Sequence, residues 1–339
     1  MKRYLLIALF LLLLVLGSIF VLYHHYRDYD ITPILSHTTL LHALPHIAPS
    51  SPLTSIHHVF VIVKENHDWR QIYQNPDAAY VNKILLAQGA FAKEYYNVAK
   101  GSTALHPSEP NYMMLEAGMI AFSDHTFTND DPPSATNSTN SLLHLTSLLE
   151  KKGYSWKAYQ EDISGDTCPI NSVGNYAPKH DPFVYFQNVS GNPPREKNTY
   201  CIQHIRPLSE LQKDIQTGHL ANYIFITPNL QHDMHDGTIA QGDTWLSQHI
   251  PLITQSDTFK KDGALFITWD EGTDGNDGND ENNPIGMIIT SPFVKKGYSN
   301  SLSYSHASLI KTIEEIFQLT PLIGLSSAGD TLDLSDLFQ

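Results

Sequence analysis

Four stretches of the chain are apolar at almost every position and rich in β-branched and aromatic side chains: residues 58–63 (HVFVIV), 222–227 (NYIFIT), 264–269 (ALFITW) and 285–290 (IGMIIT). Runs of this length and kind read as strands buried on both faces. Between them, apolar positions recur at helical spacing over roughly 140–152, 207–217, 239–255 and 305–318, and Gly153 follows the first as a terminating glycine does. A further helix is expected from Ser108 to about Ala121, and residues 128–141 (TNDDPPSATNSTNS) read as a mobile polar loop. Buried strands alternating with helices predict an α/β fold, a three-layer αβα sandwich around a largely parallel sheet. No internal repeat is visible.

Ahead of these elements, Tyr4 to Tyr23 is apolar almost throughout and follows Lys2 and Arg3. A run of about 20 apolar residues is long enough to span a bilayer as a helix. The positive residues before it predict a cytoplasmic stub (1–3), a transmembrane signal-anchor (4–23) and a chain that continues outside. The competing reading is a cleaved signal peptide, although no A-x-A pattern follows. Either way the domain is exported, periplasmic or extracellular, and tethered to the membrane if the segment is kept. Residues 24–54 read as a linker and 55–339 as the folded domain. Cys168 and Cys201 are the only cysteines, and an oxidising compartment lets them pair.

Composition narrows the partners. The chain has 21 Lys+Arg against 35 Asp+Glu, a formal charge of −14. No Lys/Arg cluster offsets this, so a nucleic-acid partner is not expected. The 18 histidines, several beside acids, point toward metal or phosphate chemistry.

The polar residues that end the strands carry that chemistry. Residues 58–63 run into Lys64, Glu65, Asn66, His67 and Asp68. Residues 222–227 run into Pro228, Asn229, His232, Asp233, His235 and Asp236, and residues 264–269 into Asp270, Glu271 and Gly272. Open α/β sheets keep their sites at the carboxyl ends of strands. Glu65, Asn66, Asp270 and Glu271 would give a mainly oxygen-ligated site for Mg, Mn or Ca, or for Zn in a mixed site. The segment TALHPSEPNYMM places Ser108 between Pro107 and Pro110 at the mouth of a helix. A helix N-terminus attracts anions, and a nearby cation would activate a hydroxyl. Ser108 is therefore a candidate nucleophile; as S-x-x-N before an apolar run it also reads simply as a helix N-cap. The acidic stretch DEGTDGNDGNDE (270–281) has the rhythm of a calcium loop but not its register, and reads as a flexible loop beside the site.

In order along the chain, VFVIVKENHDW, LHPSEPNYMMLEAG, YAPKHDPFVYF, NYIFITPNLQHDMHDGTIAQGDTWL, LFITWDEG and YSHASLIKTIEEIF resemble the bacterial and fungal phosphoesterase family. That family includes secreted acid phosphatases and phospholipases C, within the alkaline phosphatase-like superfamily. The resemblance spans about residues 56–320. It implies metal ligation by Glu65, Asn66, Asp270 and Glu271 and a nucleophilic Ser108. It implies a phosphate contact from Asn111, and His106, His232, His235 and His306 lining the phosphate or protonating the leaving group. Asn229 and Asp233 fall where they would form a second metal half-site or orient those histidines; one cation is expected. Lys179 and His180 are candidate substrate contacts. The expected activity is metal-dependent hydrolysis of a phosphate ester through a phosphoserine. An acid phosphatase-type monoesterase is the first reading, a phospholipase C the second, and an inert envelope binding protein on the same fold the third.

Overall fold

The computed structural model describes residues 51–273, 283–321 and 323–339. The stub (1–3), the anchor (4–23), the linker up to residue 50 and the acidic loop past Thr273 lie outside the described residues. Among the described residues, no helix is long and apolar enough to cross a membrane. The fold begins within the segment read as linker: Pro52–Ser55 form a 3-10 turn, and Leu53 buries in the core.

The apolar runs form the middle of an eight-stranded sheet. Its strands in chain order are β1 (His58–Lys64), β2 (Ala90–Ala92), β4 (Trp156–Gln160), β5 (Ile205–Pro207), β6 (Tyr223–Thr227), β7 (Gly263–Trp269), β8 (Met287–Thr290) and β9 (Ser299–Asn300). The spatial order is β5-β4-β6-β1-β7-β8-β2-β9. A small second sheet pairs β3 (Tyr95–Tyr96) with β10 (Tyr304–Ser305). From β5 to β7 every pairing is parallel, and only β8 runs against its neighbours. The sheet is thus mostly parallel, as expected. The four strands legible as apolar runs, β6, β1, β7 and β8, are adjacent at its centre. Burial on both faces demands apolar residues at consecutive positions there, and all seven residues of β7 are buried.

Five longer helices flank the sheet: α1 (Ser108–Ala117), α2 (Leu145–Lys152), α3 (Leu211–Thr217), α4 (Ile239–Thr254) and α5 (His306–Phe317). Helices α1, α2 and α5 pack on one another, while α4 packs on Pro76–Ala78 and on Asp257–Asp262. Three helix boundaries differ from the sequence expectation: α3 begins at Leu211, after a 3-10 turn over Leu208–Glu210, and α1 and α2 are also shorter. Helix α1 stops at Ala117, because Gly118 takes a left-handed φ of 63° and its N–H bonds back to the Met114 carbonyl at 2.9 Å. Helix α2 starts only at Leu145, because His144 is extended (φ −146°). The His144 ring is fixed in the core by Glu116 at 2.9 Å. Cys168 and Cys201 are joined in a disulfide.

Candidate active site

Strand register assembles the centre. In the parallel ladder Lys64 lies opposite Trp269, so the residues that follow, Glu65 and Asp270, emerge side by side. The Asp270 N–H donates to the Lys64 carbonyl (2.9 Å), and the Glu65 N–H to the carbonyl of Asp233 (2.9 Å), which the loop after β6 brings back. Three carboxyls from three strand ends therefore meet, all buried. Burial, reinforced by Asp270 and Asp233, holds the Glu65 carboxyl well above its ordinary range; burial likewise raises Asp270, and Asp233 to about 7.

Ser108 occupies the first position of α1, and its Oγ donates to Glu65 Oε2 at 3.1 Å. One turn on, the Tyr112 hydroxyl donates to Glu65 Oε1 at 2.7 Å, and its ring stacks on His180. His180 bridges two acids: Nδ1 is 3.2 Å from Asp233 and Nε2 is 3.3 Å from Glu65. Burial, with the Lys179 charge beside it, lowers His180 to about 3, so its imidazole is neutral. Glu65, His180 and His235 each offer a ligand atom within 4.8 Å of the others, a grouping able to hold a metal ion.

The match to known proteins follows this geometry. A model of the Phosphoesterase family matches residues 71–320. The chain belongs to the Phosphoesterase family. Among relatives of the chain, a phosphatidylinositol-3-phosphatase of Mycobacterium tuberculosis is 32% identical over 279 residues, 82% of each protein. An acid phosphatase of Aspergillus fumigatus is 27% identical across 85% of this chain and 61% of its own length. The solved structures repeat the fold. An alkaline phosphatase superfamily protein from Vibrio parahaemolyticus superposes with TM-score 0.51 at 10% identity, covering 79% of this chain and 69% of its own. A murine ectonucleotide pyrophosphatase/phosphodiesterase 5 gives 0.51 at 12%, covering 83% and 100%. The chain is a phosphoric ester hydrolase with an alkaline phosphatase-like fold.

Several residues singled out from the Phosphoesterase motifs stand close to this centre. The Asn66 N–H donates to Asp270 Oδ1 at 3.1 Å. The Glu271 carboxylate faces His106 Nδ1 (2.9 Å) and accepts from Asn111 Nδ2 (2.7 Å). Asn111 also donates to the Leu105 carbonyl, so it braces the turn ahead of Ser108. His306 is buried against the backbone of Asp270: Nε2–H donates to that carbonyl (2.7 Å), and Nδ1 accepts from the Tyr95 hydroxyl (3.1 Å). Burial lowers His306 to about 4. Both ring nitrogens are engaged, and the ring supports Asp270 from behind.

Asn229 and His232 are not brought into the cluster. The Asn229 side-chain oxygen accepts the N–H groups of Gln231 and His232, and its amide donates to Asp162. It holds the turn that returns Asp233, as Asx side chains do. His232 pairs through Nδ1 with Glu161 at 2.9 Å and borders a hollow of about 320 Å³ over α4, with Gln241, Thr244 and Gln248.

Three residues escaped sequence reasoning, and a fourth, Lys64, was noted only as a strand end. Tyr112 lies inside a motif quoted for the family resemblance but was given no role, and only the fold turns its hydroxyl to Glu65. Lys64 is the last residue of β1, fully buried beside Trp245, and burial lowers it to about 7 against the pull of Asp233 and Glu161. A lysine closing an otherwise apolar strand was the available signal. Glu161 follows β4, which was not recognised as a strand. Asp130 lies in the loop expected to be mobile; that loop is instead docked. Asn137 is buried there, donating to Glu109 and to the Asp131 carbonyl, and Thr139 donates to Asp124. Asp130 Oδ1 accepts the Glu109 N–H at 2.9 Å, and Oδ2 accepts from Lys179 Nζ at 2.8 Å.

Proposed function

We propose that the chain is a metal-dependent phosphomonoesterase that works through a phosphoserine on Ser108. The observation that carries this reading is the 3.1 Å contact of the Ser108 hydroxyl with Glu65, inside a group of three buried carboxyls. Such a group is unstable without positive charge nearby. Asn66 Oδ1 and Asp270 Oδ2 are buried with no hydrogen-bond partner among the described residues. These orphaned acceptors and the acids beside them fit a divalent cation. Glu65, Asn66, Asp270 and Glu271 would hold it; Asp233, His180 and His235 border the same space. Oxygen donors suit Mg, Mn or Ca, and the histidines admit Zn. When bound, the cation lowers the pKa of a hydroxyl and neutralises phosphoryl charge.

The protein's own groups do the rest. Glu65 and the first turn of α1 aim Ser108 Oγ at phosphorus. Lys179 offers a cation to the phosphoryl oxygens. As Ser108 attacks, its proton passes to Glu65, which its Oγ faces at 3.1 Å, and the leaving alkoxide takes a proton from a histidine at the rim, His235 or His106. Water then attacks the phosphoserine, giving its proton to that histidine, while the released Ser108 oxygen takes its proton back from Glu65. Imidazolium is the acid in the first step, which suits mildly acidic pH.

The relatives named for phosphatase activity favour a monoester over the phospholipase C reading. The phosphatidylinositol-3-phosphatase adds a specific candidate, a monoester carried on a lipid. A membrane-anchored domain outside the cytoplasm, with residues 4–23 as its tether, would meet such a substrate. The test is to strip metal from the full-length protein, add divalent cations back, and assay p-nitrophenyl phosphate, phosphatidylinositol 3-phosphate and phosphatidylcholine. Metal-restored hydrolysis of the two monoesters, reduced about a thousandfold or more in Ser108→Ala, is expected. Diacylglycerol released from phosphatidylcholine without monoesterase activity would move the assignment to phospholipase C. Full activity in Ser108→Ala would remove the phosphoserine.

A further inference from the structure

The Asp130 carboxylate makes two bonds, and both go to groups that a phosphate ester in this site would use. One is the N–H of Glu109 at 2.9 Å, in the first turn of the helix that begins with Ser108. The other is Lys179 Nζ at 2.8 Å, itself 3.1 Å from His235 Nε2. The pair stands at the rim: the Lys179 and Asp130 side chains are 18% and 28% exposed. Their placement is built in, because the Asp131 carbonyl is held by Asn137 (2.7 Å) and by the Tyr185 hydroxyl (3.1 Å). Glu109 does not supply the same charge: burial raises it to about 9.

We propose that Asp130 is an internal anion that competes with phosphate for Lys179 and for the Glu109 N–H, and so sets how weakly the site holds its phosphate product. A hydrolase benefits from such a competitor. Lys179 and a helix N-terminus together would bind free phosphate tightly, and tight product binding slows turnover. A fixed carboxylate on the same donors lowers affinity for every phosphate species while leaving Lys179 in position. The inference rests on the proposed phosphatase site, in which Lys179 faces the phosphoryl group.

The sign of the effect separates this role from a structural one. Loss of a merely structural residue loosens ligand binding, whereas loss of a competing anion tightens it. The experiment is calorimetric titration of inorganic phosphate into the full-length, metal-loaded protein, together with phosphate inhibition of hydrolysis. Wild type, Asp130→Asn, Lys179→Met and the double variant are compared. Asp130→Asn is expected to bind phosphate roughly five- to tenfold more tightly, with the inhibition constant falling in parallel. Lys179→Met is expected to weaken binding about tenfold, and the gain from Asp130→Asn to shrink in its background. Unchanged or weaker phosphate binding in Asp130→Asn, with thermal unfolding like wild type, overturns the proposal. So does a Lys179→Met protein that binds phosphate as wild type does. A wild-type protein that neither binds phosphate nor hydrolyses monoesters would instead overturn the phosphatase reading, and this inference with it.

Discussion

Glu109 stands next to the proposed nucleophile but faces the docked loop, where Asn137 donates to both its oxygens at 3.3 Å. Burial is the main reason its carboxyl is raised to about 9 from an unfolded value of 4.5. The folded state therefore holds a proton that the unfolded state loses. Below about pH 4.5 both states are protonated and folding carries no penalty. Between 4.5 and 9 the folded state binds more protons, so this contribution to stability falls as pH rises, and it levels off above about 9. Glu109→Gln is expected to flatten the decline of melting temperature between pH 5 and 8 relative to wild type. An identical pH slope in the variant would show that Glu109 ionises readily in the fold.

At the scale of elements, α1 is the part whose limits matter most, since its start presents Ser108 and its end packs against the C-terminal segment. Gly118 closes it in the left-handed region. A Cβ there would lie 3.0 Å from the Ile323 carbonyl oxygen, and the Leu325 N–H donates to the Gly118 carbonyl at 2.8 Å. Gly118→Ala meets both a backbone penalty and a tight contact with backbone that cannot swing away. It is expected to destabilise the fold by about 1–3 kcal/mol, read as a lower midpoint in urea. A variant as stable as wild type would mean that the 323–325 segment moves aside freely.

For the whole molecule, the Cys168–Cys201 disulfide closes a loop across 33 residues, tying the segment after β4 to the one before β5 at the sheet edge. Replacing both cysteines by serine is expected to cost about 3–4 kcal/mol in the chain-entropy account, while the carboxyl cluster at the centre stays formed. Denaturant unfolding with and without reductant checks the first expectation, and phosphoric ester hydrolysis by the serine variant under native conditions checks the second. A disulfide also agrees with an exported domain.

What the sequence determined by itself was the centre of the sheet and the polar residues that end its strands. Strands β6, β1, β7 and β8 are legible because double-sided burial requires continuous apolar runs, and Glu65, Asp233 and Asp270 follow such runs or the turn after them. The strands flanking that centre were not legible. Strand β4 (WKAYQ) interrupts its apolar residues with Lys157, and β2, β5 and β9 are two or three residues long, too short to show a period. That Glu65 and Asp270 share a site was expected from their strand ends, and the parallel register puts them side by side. The tertiary structure alone decided the other meetings: the Asn229 turn delivered Asp233 and sent His232 to Glu161, and the folding of the polar loop onto α1 brought Asp130 to Lys179. Each of these is a contact between positions far apart in the chain, fixed by packing and hydrogen bonding in three dimensions, and no local pattern of residues encodes it.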